Sequence, residues 1–184
     1  FILTYHGGAG GGVFARGNMS VSYSTISGNY AHAKGGGGLY GEGNVTIAHS
    51  VITGNQATQK GGGVAIRQGF KPVGDELVSL TVRASTISGN TAMDGGGLAS
   101  LYGSPVEVSD STIAFNTASR PPLTEWFGGG GGLCVNSYSL RLTNSIVANN
   151  TASNNGHDIS LFNIAGPTPP IDGDHNIVMS STPG

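Results

Sequence analysis

Charged residues and cysteine are scarce in this 184-residue chain. Asp, Glu, Lys and Arg together make up 10% of the residues, and the formal net charge is −2. This composition argues against nucleic-acid binding, because phosphates are recognised by clusters of basic side chains. The single cysteine, Cys134, excludes an internal disulfide.

Long apolar runs and helical patterns are also missing. No apolar run approaches the roughly 18 residues that suggest a transmembrane helix, so we predict no membrane span in this segment. No window combines apolar residues at helical spacing with helix start and stop signals. The five His residues never stand four apart or close to Cys134 in the sequence, so the sequence predicts neither a metal site nor a cofactor.

Glycine, by contrast, is abundant, with 33 residues, and much of it belongs to an internal repeat. A six-residue segment occurs five times, as STISGN at 24–29 and 85–90, SVITGN at 50–55, STIAFN at 111–116 and SIVANN at 145–150. Each copy follows a Gly run that ends in Val or Leu. The final Asn residues are 26, 35, 26 and 34 positions apart, so the base period is 26 and two steps are longer by 35 − 26 = 9 and 34 − 26 = 8 residues.

Within each repeat the apolar residues alternate with polar ones, as at Val45 and Ile47 or at Leu80 and Val82. A period of two residues indicates β-strands. Short strands with one apolar face, repeated at this spacing, are typical of coils stacked on one another. The sequence therefore predicts an all-β fold, a right-handed parallel β-helix with five to six coils of three short strands.

Two polar columns are expected inside this β-helix. An Asn at a corner of each coil can bond neighbouring amides, and Gly permits the positive φ angles of tight turns. The predicted structural ladder consists of Asn29, Asn55, Asn90, Asn116 and Asn150. The second column consists of Ser24, Ser50, Ser85, Ser111 and Ser145.

The chain is expected to be a single β-helix domain over 1–184, with loop insertions at 67–79 and 119–127 and an irregular closing coil at 157–184. It begins without Met, a charged n-region or an apolar h-region. We therefore expect it to be part of a longer or processed protein.

The motif GGG(L/V) followed by (S/T)(T/V)I(S/T)GN(T/Q)A resembles the β-helix repeats of bacterial secreted and surface proteins. It is similar to polymorphic outer-membrane proteins and autotransporter passengers, which use GGA(I/L/V) and FxxN, although Ile replaces Phe here in most copies. Residues 156–160 and 174–178 resemble the closing coil of such proteins. The resemblance implies a bacterial, extracellular or outer-membrane surface location, a non-catalytic adhesin or structural stalk, and a glycan or a host or neighbouring cell surface as partner.

Two other functions stay open. A carbohydrate-active β-helix, lyase-like or glycan-binding, would need paired carboxylates or a base on one face, and the sequence offers only Asp75-Glu76, Asp172 and Asp174 as neighbouring acids. We assign no catalytic residue, although Arg67, Lys71 and Arg83 could serve as bases. An ice-binding face is a weaker alternative. Its column of outward hydroxyls would be Thr25, Ser27, Thr53, Thr86, Ser88 and Thr112, interrupted by Val51 and Ile146.

A ligand groove is predicted on the strand that follows the Gly run of each repeat. The two insertions leave opposite ends of that strand and should rise as walls around one face. Its floor would consist of the outward residues Tyr40, Glu42, Ala65, Arg67, Ala99, Leu101, Cys134 and Asn136. The predicted ligand-binding residues are Trp126, Phe127, Arg67, Lys71, Glu42, Tyr40 and Asn136.

Overall fold

The computed structural model describes residues 10–32, 35–67, 77–119, 129–137, 139–153, 156–162 and 171–179. These residues form six coils of short strands. Coil one contains β1 (Val13–Ala15), β2 (Met19–Ser22), β3 (Thr25–Ser27) and β4 (Tyr30–Ala31), and coil two contains β5 (Leu39–Gly41), β6 (Val45–Ala48), β7 (Val51–Thr53) and β8 (Gln56–Ala57). Coil three contains β9 (Val64–Arg67), β10 (Leu80–Arg83), β11 (Thr86–Ser88) and β12 (Thr91–Ala92), and coil four contains β13 (Leu98–Gly103), β14 (Val106–Ser109), β15 (Thr112–Ala114) and β16 (Thr117–Ala118). Coil five contains β17 (Leu133–Ser137), β18 (Leu140–Thr143), β19 (Ile146–Ala148) and β20 (Thr151–Ala152), and coil six contains β21 (Ile159–Phe162), β22 (Ile171–Asp172) and β23 (Ile177–Val178).

Equivalent strands of successive coils pair in parallel and build four sheets. Sheet A contains β1, β5, β9, β13, β17 and β21, and sheet B contains β2, β6, β10, β14, β18 and β22. Sheet C contains β3, β7, β11, β15, β19 and β23, and sheet D contains β4, β8, β12, β16 and β20. The predicted right-handed parallel β-helix with three strands per coil is confirmed. The sequence did not predict the additional strand of sheet D, which has only two residues per coil.

The register of the sheets follows the repeat alignment. Ile87 pairs with Ile52 on one side and with Ile113 on the other, and all three side chains are completely buried. A slip of one residue would turn this apolar column to solvent, so burial specifies the register strongly. The core is a continuous column of Val, Leu and Ile side chains from sheets A, B and C.

The Asn residues at the end of sheet C form a continuous ladder of hydrogen bonds inside the β-helix. The amide oxygen of Asn90 accepts from the backbone N–H and the side-chain Nδ2 of Asn55, at 2.9 and 3.0 Å. The Asn90 Nδ2 donates in turn to the Asn116 amide oxygen at 3.0 Å. The same pattern connects Asn29 to Asn55 and Asn116 to Asn150. Each coil is thereby held on the next by buried polar bonds as well as by apolar packing.

Different residues complete the two polar columns in coil six. Asp158 stands where the other coils have Gly before the sheet A strand, and its Oδ1 accepts from the backbone N–H and Nδ2 of Asn150 at 3.0 and 2.9 Å. The Ser column continues from Ser111 to Ser145, whose backbone N–H donates to the Asn176 amide oxygen at 3.0 Å. Both columns therefore end on side chains that accept the last hydrogen bond.

The Gly residue at the start of each turn into sheet A lies in close contact with the strand that follows. Gly61 has a φ of +63°, and a methyl group there would overlap the Val64 carbonyl and lie 2.7 Å from the Cβ of Ala65. Gly36, Gly95 and Gly130 also have positive φ angles and the same close approach. Gly is needed at these positions for both its backbone conformation and its size.

Candidate functional site

The outer face of sheet A was expected to be the open floor of a groove, and the structure differs from that expectation. In coils two to five its first row of outward residues is completely buried, at Tyr40, Ala65, Ala99 and Cys134. One reason is the Gly turn described above, whose backbone lies against the Cβ atoms of this row. The second row is less uniform. Glu42 and Arg67 are partly exposed, whereas Leu101 and Asn136 are buried.

A β-bulge interrupts the second row in coil four. The pairing of β13 with β17 shifts between Ser100 and Gly103, so that Leu101 and Tyr102 stand opposite the single residue Asn136. A bulge of this kind bends the strand and re-aims a side chain. Here it turns Tyr102 outward, and 57% of that residue is exposed although its neighbour Leu101 is buried.

Three serine hydroxyls hold the backbone of this bulge. The Ser104 hydroxyl donates to the Leu101 carbonyl at 3.0 Å, and the Ser137 hydroxyl donates to the Gly103 carbonyl at 3.2 Å. The Ser100 hydroxyl donates to the Ser104 carbonyl. All three serines are buried, so the bulge is a fixed part of the fold.

The backbone conformation of Tyr102 sets it apart from the repeats. Within the described ranges, nine non-Gly residues have positive φ angles. Eight of them belong to turn columns that recur from coil to coil, at Tyr23, His49, Ala84, Asp110, Asn144 and His175 after sheet B and at Phe115 and Asn149 after sheet C. Tyr102, with a φ of +60°, belongs to neither column. The repeat geometry therefore does not impose its conformation.

The Tyr102 ring lies beside a cluster of aromatic and charged side chains, which we call the bulge site: Phe14, Tyr40, Glu42, Arg67 and Tyr102. The guanidinium carbon of Arg67 lies 5.1 Å from the centre of the Tyr102 ring, within the range of a cation–π contact. Arg67 also lies close enough to the Tyr40 hydroxyl to lower the pKa of Tyr40 through its charge and a side-chain hydrogen bond. Tyr40 stacks on Phe14 with ring centres 5.7 Å apart. Arg67 is thus held between two tyrosines.

Tyr40 is the electrostatically unusual member of the bulge site. Its burial, and then the negative charge of Glu42, raise the pKa of Tyr40 above its ordinary value of 10.0, while Arg67 acts in the opposite direction. The hydroxyl therefore stays protonated at neutral pH and remains available for hydrogen bonding. The second row of sheet A continues from Glu42 to Arg16 in coil one, and Arg16 is exposed.

The structure brings together three of the seven predicted ligand-binding residues, Tyr40, Glu42 and Arg67. Asn136 lies in the same row of sheet A but is buried behind the bulge. The other three predicted ligand-binding residues, Lys71, Trp126 and Phe127, lie outside the described residues. Sequence reasoning missed Phe14 and Tyr102, and the only signal for Tyr102 is the length of the segment between the Gly run and sheet B in coil four.

The other predicted features lie elsewhere on the surface. On sheet C the outward column runs through Thr25, Val51, Thr86, Thr112 and Ile146, and both Val51 and Ile146 are well exposed. The candidate bases and acids are separated. Arg83 pairs with Glu107 on sheet B at 3.4 Å, and Asp174 lies 3.3 Å from His175. Asp75 and Glu76 lie outside the described residues.

Neither a metal centre nor a transmembrane helix is present in the described ranges. No group of three or more His, Cys, Asp or Glu side chains there is close enough to hold a metal ion. The same ranges contain no helix that could cross a membrane.

Comparisons of this chain with protein-family models, curated proteins and solved structures found no match.

Proposed function

We propose that this chain is a non-catalytic β-helix segment of an exported bacterial protein, of the adhesin or structural stalk type. The observation that carries the proposal is the continuous stacking of the six coils, in which each coil is bonded to the next through parallel sheets and the column of buried polar side chains. A solenoid of this kind is stiff along its axis, because every repeat contacts its neighbours over a full cross-section. Stiffness suits a segment that holds a binding surface away from a cell.

The partner in this proposal is a glycan or the surface of a host or neighbouring cell. A rigid scaffold with exposed loops and side chains is a common way to present such contacts. The sequence resemblance to surface-displayed β-helix repeats supports an extracellular or outer-membrane location. Among the described residues, the bulge site is the cluster that best combines an exposed aromatic ring with charged groups.

Two measurements test this proposal. Protease treatment of intact bacteria that carry the gene is expected to release peptides from this segment, and lysis of the cells is not expected to be required. Incubation of the purified chain with a panel of neutral and acidic polysaccharides is expected to give neither new reducing ends nor unsaturated sugars. Peptides found only after lysis would contradict the surface location, and turnover of any polysaccharide would contradict the non-catalytic role.

A further inference from the structure

We propose that the bulge site binds the ring of a neutral sugar residue within a glycan, with Tyr102 as the stacking surface and Arg67 and Glu42 as hydrogen-bonding groups. The inference rests on the proposed function as a surface-displayed binding scaffold, and it names the ligand class and the residues of one site. It differs from the predicted groove because Tyr102 and Phe14 take the place of Trp126 and Phe127.

The conformation of Tyr102 is the first argument. A non-Gly residue with positive φ costs about 1–2 kcal/mol, and such residues persist where the surrounding structure enforces them. At the bulge, three buried serine hydroxyls enforce the conformation. This arrangement contributes little to the core, because Tyr102 is 57% exposed. Its effect is to display an aromatic ring in a fixed orientation.

The contact with Arg67 is the second argument. An aromatic side chain that binds sugars presents a flat, rigid surface to the C–H groups of the sugar ring, and polar neighbours fix the orientation of the hydroxyls. Arg67 supports Tyr102 by a cation–π contact and is itself held by the hydroxyl of Tyr40. Because these neighbours restrict the site before binding, little conformational entropy remains to be lost on association.

The balance of charge is the third argument, and it selects a neutral sugar. Arg67 supplies N–H donors and Glu42 supplies acceptor oxygens, and both act on the same tyrosine, Tyr40. The two charges are opposite, so the carboxylate of an acidic sugar would meet Glu42 as well as Arg67. Arg16, the next charged residue of this row, is exposed and lies on the far side of Glu42 from Arg67. The donors of Arg67 and the acceptors of Glu42 can together bind neighbouring hydroxyl groups of a neutral sugar.

The test is a glycan array followed by calorimetric titration of the 184-residue chain with the neutral oligosaccharides that bind and with uronic-acid oligosaccharides of the same length. The variant is Tyr102→Asn, because Asn tolerates positive φ and already occupies such positions at Asn144 and Asn149. We expect this substitution to raise the Kd about tenfold or more, as for the loss of a central aromatic contact. Circular dichroism checks that the variant remains folded.

Tyr23→Asn is the matched control. Tyr23 is also a tyrosine with positive φ, it is 81% exposed, and the equivalent residue of coil five is Asn144. This control is expected to change the Kd by less than about twofold, which corresponds to less than half of a kcal/mol. The single substitution Arg67→Gln, like Tyr102→Asn, is expected to weaken binding. If cleavage products appear, the proposed function fails, whatever the binding data show.

Three results would overturn the inference while leaving a surface scaffold intact. The first is the absence of binding to every neutral glycan on the array. The second is an equal effect of Tyr102→Asn and Tyr23→Asn. The third is a preference for uronic-acid oligosaccharides, which would contradict the argument from charge.

Discussion

Removal of the Asn90 side chain should be among the most damaging single changes in this protein. Asn90 is completely buried in the middle of the ladder. Its Oδ1 accepts two hydrogen bonds from Asn55, and its Nδ2 donates to the Ile52 carbonyl at 2.9 Å and to the Asn116 side chain at 3.0 Å. The substitution Asn90→Ala removes all four. At about 1 kcal/mol for each buried bond, the free energy of unfolding should fall by about 4 kcal/mol.

Asn29→Ala is the internal comparison, because Asn29 is partly exposed in coil one. Its side chain makes two hydrogen bonds, to the Ser27 carbonyl at 3.2 Å and to the Asn55 oxygen at 2.9 Å, and water can replace both. The loss should be about 1 kcal/mol. Asn90→Asp separates hydrogen bonding from volume, since Asp fills the same space but turns a second oxygen toward Ile52 and Asn116. We expect it to destabilise the protein about as much as Asn90→Ala.

The assay is equilibrium unfolding in denaturant, followed by circular dichroism, with native-state hydrogen exchange at the backbone amide of Asn55. That amide donates to Asn90 Oδ1 and should lose protection in Asn90→Ala. A free-energy loss within about 1 kcal/mol of that for Asn29→Ala would refute the additive account of the ladder. Wild-type stability for Asn90→Asp would show that the position requires only volume.

Three further predictions address the core, the Gly turns and the buried tyrosine. Ile87→Ala should lower the free energy of unfolding by about 2–5 kcal/mol through lost burial and a cavity, whereas Thr86→Ala on the outer side of the same strand should change it by less than about 0.5 kcal/mol; equal effects in denaturant melts would contradict the assigned faces. Gly54 has a positive φ but open space around it, so Gly54→Ala should lower the free energy of unfolding by about 1–2 kcal/mol. Gly61→Ala should lower it clearly more, because the added methyl group meets the Val64 backbone. Similar thermal midpoints for the two variants would argue against close packing of the turn. Because the folded-state pKa of Tyr40 is raised, its contribution to stability is complete below pH 10 and is lost as the pH rises through the folded value. In urea melts from pH 8 to 11, Tyr40→Phe should therefore lose less stability than the wild type above pH 10, and parallel pH profiles would contradict this.

The fold followed from the sequence because repetition averages out local ambiguity. A single STISGN segment contains only one apolar residue, but five copies in a fixed register identify an inward Ile or Val and an inward Asn in each of the first five coils. The same averaging hid the bulge. On the way into coil two, Leu39 follows Asn29 by 39 − 29 = 10 positions, and Val45 follows Leu39 by 45 − 39 = 6. On the way into coil four, Leu98 follows Asn90 by 98 − 90 = 8 positions, and Val106 follows Leu98 by 106 − 98 = 8. Both pairs of steps sum to 16, so the two extra residues that allow the bulge left the period unchanged.

The floor of the predicted groove was harder to foresee. Alternation placed Tyr40, Ala65 and Ala99 on the outer face correctly, but alternation carries no information on what covers that face. The cover includes backbone from the Gly turns, and a Gly run indicates a turn without indicating where the turn packs. The partnership of Arg67 with Tyr102 likewise depends on a contact between coils three and four, 35 residues apart in the sequence.

The Asn ladder gives the β-helix a direction along its axis that can be used in protein design. Along the ladder each Asn amide oxygen accepts from the Asn of the preceding coil, and the Asp158 carboxyl accepts the last of these bonds but has no side-chain N–H to donate onward. A coil copied from the middle of the ladder and inserted between coils two and three brings one donor set and one acceptor set, so a longer rod should form without unmatched groups. A copy of the coil with Asp158 placed at the same point would leave the next Asn without its donor. The length of such a rod is therefore set by the coil in which an acceptor-only carboxyl group takes the last hydrogen bond of the ladder.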